Sequence, residues 1–230
     1  MSYLHPQRNK LALALDVDDL VEAMRLASEL RPWFKVAKVG LELFTAVGPD
    51  AIGSLSDLGY DVFVDLKLYD IPTTVEKAAR VIGSLGASYL TIHAQGGGEI
   101  LKAGVAGLND GASRAGLPTP ISLAVTVLTS DNGAPAHILP KRVREAVESG
   151  CTGLVGAARD VHEARLLAPR LIIVVPGIRP EGTNHHDQAR SATPAEAIGA
   201  GADLLVIGRA VTQASDPQAA AEALASSITA

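Results

Sequence analysis

The stretch Asp65-Leu66-Lys67-Leu68-Tyr69-Asp70-Ile71-Pro72 sets two carboxylates and an ammonium close together at the end of a run of β-branched and apolar residues. If that run is a strand, its side chains alternate. Asp65 and Lys67 then share a face, with Asp70 just past the strand where the backbone can turn. Lys38, inside another apolar run, supplies a second ammonium. Charges in nearly apolar strands are costly unless they are paired or used. In a set of mixed sign, opposite neighbours offset the repulsion between like charges. Two unit charges about 4 Å apart interact by about 4 kcal/mol at an effective dielectric near 20. A field on that scale can matter to a reaction barrier.

Further polar residues stand at the ends of other apolar runs: Asp16, His93, Thr129, Arg179 and Arg209. Arg179 and Arg209, with the backbone at Gly208, are the cationic and amide donors that a phosphate needs. Gln188 adds a neutral donor from the polar loop between Gly177 and Thr193. The plainer alternatives are structural ion pairs closing one end of the fold, and surface salt bridges for the two arginines. Asp16 has a second possible role as a helix cap, although Asp18 and Asp19 already supply capping carboxylates. His93 has no second metal ligand at supporting spacing and reads as a wall residue. His185-His186 reads as a solvated loop pair, and Gly96-Gly97-Gly98 as a tight connection rather than a phosphate cradle. No metal site is expected.

Eight aliphatic runs must position these groups, at 11–17, 34–39, 61–66, 89–93, 120–128, 152–157, 171–175 and 203–207. Most are continuously apolar, the pattern of parallel strands buried on both faces. Segments with helical periodicity lie between them. Asp18-Asp19 precedes Leu20, Val21, Met24, Ala27 and Leu30, and Thr73-Thr74 precedes Val75, Ala78, Ala79, Ile82 and Leu85. Thr193-Pro194-Ala195-Glu196 reads as an N-cap followed by proline at the first helical position. Gly59, Gly86, Gly116, Gly150 and Gly201 fall where helices should end in a left-handed cap. Eight strand-helix units of about 29 residues fit an α/β fold, the (β/α)8 TIM barrel, with little spare chain. An open doubly wound sheet is the alternative. It is weakened because Leu15-Asp16-Val17-Asp18-Asp19 stands where a glycine-rich dinucleotide fingerprint would. No linker-like shift in composition divides residues 1–230, so one domain is expected.

The chain has 230 residues, 47% of them hydrophobic, with a single cysteine and a net charge of -5 from 20 basic and 25 acidic residues. That composition excludes a disordered tail and a disulfide scaffold, and argues against nucleic acid as a partner. Cys151 reads as a small core residue in a reducing, cytoplasmic setting. The run 11–15 is cut by Asp16, and the apolar stretch 115–130 carries Pro118 and Pro120, so neither an export signal nor a membrane span is expected.

Taken in order, the segments Leu13-Ala14-Leu15-Asp16, Lys38-Val39-Gly40, Asp65-Leu66-Lys67 with Asp70-Ile71-Pro72, His93-Ala94 with Gly96-Gly97, Val125-Thr126-Val127-Leu128-Thr129-Ser130, Pro176-Gly177-Ile178-Arg179-Pro180, Asp187-Gln188 and Val206-Ile207-Gly208-Arg209 resemble the bacterial-type orotidine 5'-phosphate decarboxylase family over nearly the whole chain. The resemblance implies a barrel that converts orotidine 5'-phosphate to uridine 5'-phosphate and CO2 in de novo pyrimidine nucleotide biosynthesis, without metal or organic cofactor. It implies a catalytic array of Lys38, Asp65, Lys67 and Asp70, with Asp70 entering the site of the neighbouring subunit of a homodimer. Lys67 would sit beside C6 and donate the proton that replaces CO2, and Asp65 would face the leaving carboxylate. Lys38 and Asp70 would aim Lys67 and bind ribose hydroxyls. Asp16 would bind ribose, Thr74 would reach across the dimer with Asp70, Ile71 would contact substrate, and Thr129 would meet the pyrimidine. Pro176 would also contact substrate, and Arg179, Gln188, Gly208 and Arg209 would hold the phosphate, with the loop around Gly182 able to close over it. Two rivals stand beside this implication: a Mg-dependent sugar-phosphate decarboxylase of the same superfamily, which typically has an acidic residue where Lys38 stands, and a non-catalytic phosphate-binding barrel, which would not need Lys67.

Overall fold

The aliphatic runs pair side by side, all in the same direction, until the last meets the first. The computed structural model describes residues 3–131, 133–180 and 192–228. In chain order its elements are β1 (Leu11–Leu15), α1 (Leu20–Leu30), β2 (Val36–Val39), α2 (Leu41–Val47), α3 (Asp50–Asp57), β3 (Asp61–Leu68), α4 (Pro72–Ser84), β4 (Tyr89–His93), α5 (Gly98–Arg114), β5 (Ile121–Val125), α6 (Ile138–Glu148), β6 (Gly153–Val155), α7 (Val161–Leu167), β7 (Ile172–Val175), α8 (Pro194–Gly199), β8 (Leu204–Ile207), α9 (Arg209–Thr212) and α10 (Pro217–Ser226). The eight strands form a closed parallel barrel in sequence order, with Leu11 opposite Leu205 at the seam. This is the expected (β/α)8 barrel, and the open-sheet alternative falls with the closure.

Two cores explain why the strands are apolar on both faces. Leu13, Leu15, Val39, Val64 and Ile92 point outward and pack with helix residues such as Leu26, Leu43, Leu55 and Leu101. Ala12, Ala14, Val36, Phe63, Leu123, Val125, Val155, Val174, Leu204 and Val206 fill the inside. Alternation therefore continues inward-facing rows up to the C-terminal rim, where Lys38 follows Val36, Asp65 follows Phe63 and Gly208 follows Val206. Cys151 is 3% exposed, and burial pushes its thiol up to about 12, consistent with a core residue.

Local signals at the helix ends mostly hold. Asp19 caps α1 by accepting the Glu22 N–H at 2.8 Å, and Thr193 and Glu196 close a capping box at α8. Gly59, Gly86, Gly116, Gly150 and Gly201 all have positive φ. Thr73 and Thr74 do not precede α4: the helix starts at Pro72 with Ile71 as its cap residue, because proline's fixed φ suits the first helical position. The strands are shorter than their apolar runs, β5 ending at Val125 and β6 at Val155. Loop residues such as Val127 and Ala157 stay buried after the ladder stops. In contrast β3 runs on to Leu68, because it pairs again with β4 after an irregularity. Among the described residues no helix is long and apolar enough to cross a membrane.

Helices α4 and α5 make the closest helix contact. A Cβ on Gly107 would strike the Glu76 carbonyl, and one on Gly111 the Arg80 carbonyl. Arg80 spans the seam, paired with Glu76 on its own helix and with Asp110 on α5. Gly111→Ala should lower unfolding free energy by about 1–3 kcal/mol through overpacking, whereas Gly53→Ala, with open space around the new methyl, should raise it by about 0.5–1 kcal/mol. Urea denaturation of the two variants reads both signs.

Candidate active site

The C-terminal rim carries a row of alternating charge. The Lys38 ammonium, with its side chain 10% exposed, lies 3.0 Å from Asp16 Oδ1 and 3.8 Å from Asp65 Oδ2. Lys67 Nζ lies 2.9 Å from Asp65 Oδ1. The order is thus Asp16, Lys38, Asp65, Lys67, contributed by the ends of β1, β2 and β3. Each inner member has an opposite charge on both sides, and deleting one would strand its neighbours in a partly desolvated place. Gly40 is part of this arrangement: a Cβ there would stand 3.1 Å from both Asp16 Oδ1 and Lys38 Nζ, so its absence leaves room for the pair.

Asp65 and Lys67 meet as expected, but not by simple strand alternation. The β3–β4 register jumps from Val64 opposite Leu90 to Leu68 opposite Ile92, so the intervening residues bulge. Lys67 has φ 48°, the one positive φ outside glycine among the described residues. Its side chain therefore leaves the rim at an angle that a regular strand would not give.

Two adjoining cavities flank the row. One, of about 210 Å³, is lined by Asp16, Lys38, Asp65, Pro176, Gly177, Ile178, Arg179, Val206, Gly208 and Arg209, with Ala14 at its base. The other, of about 150 Å³, is lined by Phe63, Val125, Val127, Leu128, Thr129, Val155 and Gly156, together with Lys38, Asp65, Lys67, Pro176 and Val206. Lys38 and Asp65 belong to both. The first suits an anionic and hydroxylated group, the second a flat ring, and their junction lies against the charge row.

Of the residues singled out in the sequence, Asp16, Lys38, Asp65, Lys67, Thr129, Pro176, Arg179, Gly208 and Arg209 line these cavities. Asp70, Ile71 and Thr74 are exposed and line neither cavity, and Asp70 Oδ1 accepts the Ile71 N–H at 2.6 Å. Within one chain Asp16, not Asp70, is the row's second carboxylate. Gln188, Gly182, His185 and His186 lie outside the described residues. Ile178 pairs with Ala192, whose carbonyl accepts the Arg179 N–H at 3.0 Å, so residues 178–179 and 192 stand side by side at the first cavity.

Sequence reasoning gave no role to Arg142. From α6 it donates to the Thr126 carbonyl and so holds the start of the loop that carries Val127, Leu128 and Thr129. An arginine on an amphipathic helix gives no sign of this. His93 is 9% exposed and its Nδ1 accepts the Gln95 N–H at 3.2 Å, which leaves the ring proton on Nε2. Burial, and then the positive charges of Arg142 and Lys67, push its pKa down. It is a buried, neutral imidazole at the end of β4 that lines neither of the two cavities.

Fold and site together define a (β/α)8-barrel of the class that binds a small phosphorylated anion at the C-terminal ends of its strands. The chain belongs to the orotidine 5'-phosphate decarboxylase / HUMPS family, whose model matches residues 9–224. It is 42% identical to the orotidine 5'-phosphate decarboxylase of Moorella thermoacetica, over 96% of this chain and 92% of that protein. It is 43% identical to that of Anaeromyxobacter sp. strain K, over 95% and 98%. Among solved structures, the crystal structure of orotidine 5'-phosphate decarboxylase from Lactobacillus acidophilus superposes with a TM-score of 0.82 at 34% identity, covering 96% of this chain and all of that one.

The depressed pKa of His93 makes stability depend on pH. The unfolded imidazole binds a proton below about pH 6.5 and the folded one resists it, so its contribution is full above that value and is lost as pH falls. Unfolding free energy should drop between pH 7 and pH 5 with a His93 slope of up to about 1.4 kcal/mol per pH unit. In His93→Asn, denaturation at the two pH values should show a smaller drop.

Proposed function

We propose that this chain is an orotidine 5'-phosphate decarboxylase, forming uridine 5'-phosphate and CO2 in pyrimidine nucleotide biosynthesis. The observation that carries the reading is the row Asp16, Lys38, Asp65, Lys67 standing at the junction of a phosphate-suited cavity and a ring-suited one. In this reading Arg179, Arg209, the Gly208 backbone and Gln188 hold the phosphate, and Asp16 and Lys38 take the ribose hydroxyls. The pyrimidine lies against Phe63, Val125 and Val155, with Thr129 at its polar edge and Pro176 over it. Its C6 carboxylate then faces Asp65, and C6 lies beside Lys67.

The chemistry follows from that placement. The C6–carboxylate bond breaks, CO2 leaves, and the bonding electron pair stays on C6. The Lys67 ammonium stabilises this carbanion and then gives it a proton, forming the C6–H bond of the product; water reprotonates the amine. The field is fixed beforehand, because Asp65 and Lys38 already hold their partners before substrate arrives.

Against a Mg-dependent sugar-phosphate decarboxylase stands Lys38. Its ammonium lies between the carboxylates of Asp16 and Asp65, where a divalent cation would otherwise be held, and would repel one. The intact Lys67–Asp65 pair argues against a barrel that merely binds phosphate. The working protein in this proposal is a cytoplasmic, cofactor-independent homodimer, with neither nucleic acid nor membrane as a partner. Exposed Leu41, Tyr69 and Ile71 support the dimer, as do Asp70 and Thr74, which are exposed and line neither cavity of their own chain.

Following orotidine 5'-phosphate by ultraviolet absorbance, turnover should continue in excess chelator, and turnover restored only by Mg would contradict the proposal. Lys67→Ala should fall by at least about 10³-fold in kcat while the protein stays folded. Mixing Lys67→Ala with Asp70→Ala should restore activity if subunits share sites; no recovery despite demonstrated subunit exchange would refute the sharing.

A further inference from the structure

We infer that Thr91 is a positioning residue for the reaction, its hydroxyl joining the Lys67 backbone to the Asp65 carboxylate across the break in the β3–β4 ladder. The inference rests on the roles proposed above for Lys67 and Asp65. Thr91 is the middle residue of β4 and is fully buried. On either side of it Leu90 pairs with Val64 and Ile92 with Leu68, so this one residue stands opposite the three bulged residues 65–67. Their backbone has no regular ladder partner there, and the threonine side chain takes that place.

The hydroxyl accepts the Lys67 N–H at 2.9 Å and donates to Asp65 Oδ1 at 3.0 Å. The same Oδ1 accepts from Lys67 Nζ at 2.9 Å. A hydroxyl has one proton; with its oxygen facing an N–H donor, that proton is directed to the carboxylate. One atom therefore fixes both ends of the Lys67–Asp65 pair. It also supplies the outside constraint that a lysine at φ 48° needs, since a non-glycine residue occupies that region only where its surroundings hold it. The buried hydroxyl of Thr126, by contrast, donates to the Val155 backbone carbonyl at 3.0 Å. Thr91 differs in that both of its partners belong to the charge row.

Thr91→Val keeps the shape and removes donor and acceptor; Thr91→Ser keeps the hydroxyl. In the full-length protein, Thr91→Val should lower kcat by about 10- to 100-fold, the scale of a displaced reacting group, while KM and uridine 5'-phosphate affinity stay within about threefold. Thr91→Ser should recover most of the loss. A kcat for Thr91→Val within about twofold of the parent, or Thr91→Ser impaired as much as Thr91→Val, overturns the inference. Should Thr91→Val fail to fold, Thr91→Ala is read against the same thresholds. A crystal structure of the folded hydroxyl-less variant separates this claim from the functional reading: Lys67 leaving its positive φ, or Nζ leaving Asp65, supports positioning by Thr91. Lys67 unmoved overturns it, even if the parent itself proves inactive on orotidine 5'-phosphate.

Discussion

An ammonium held between two carboxylates at the rim of a barrel filled with aliphatic side chains is the constraint on which the rest of this structure depends. Lys38 alone would be expensive to desolvate, and so would Asp65. Set as Asp16, Lys38, Asp65 and Lys67, with contacts of 3.0, 3.8 and 2.9 Å, each lowers the cost of burying the next. The same alternation leaves a cation at the open end of the row, aimed at the ring-suited cavity. In the proposed function, a charge arrangement that stabilises the folded rim is thus also a fixed field for the reacting group.

The barrel serves this row in specific ways. Parallel closure brings the ends of β1, β2 and β3 together, and inward alternation places Lys38 and Asp65 directly above Val36 and Phe63. The gap at Gly40 gives the Asp16–Lys38 pair its space. The bulge in β3 turns Lys67 away from a regular strand direction, and Arg142 holds the loop that walls the ring-suited cavity. The tight α4–α5 seam anchors the helix that begins immediately after the Asp70-Ile71 turn.

Much of this was legible in the sequence, and the exceptions have physical reasons. Continuous apolar runs separated by capped helical segments identify parallel strands, because burial on both faces is a property of residue type along the chain. Strand ends were less legible: Val127 is as apolar as its strand neighbours but lies in a loop packed against the core. Asp65 and Lys67 were rightly expected to meet, yet by alternation rather than by a bulge, since the register break depends on β4, distant in sequence. Thr91 reads as an ordinary β-branched strand residue and Arg142 as a surface arginine. Their partners are made by tertiary contact, and no local pattern announces them. Asp16 and Lys38 showed as polar interruptions of apolar runs, and such interruptions carried most of the site's signal.

The central claim is that the charge row stabilises a carbanion at C6 and that Lys67 is the proton donor to it. Microscopic reversibility makes this testable on the product alone, without CO2 chemistry. In D2O the enzyme should exchange the C6 hydrogen of uridine 5'-phosphate for deuterium, observed by proton NMR, and Lys67→Ala should abolish the exchange while leaving the C5 hydrogen untouched in both. Absence of C6 exchange in the parent enzyme at saturating product, or exchange undiminished in Lys67→Ala, would contradict the account.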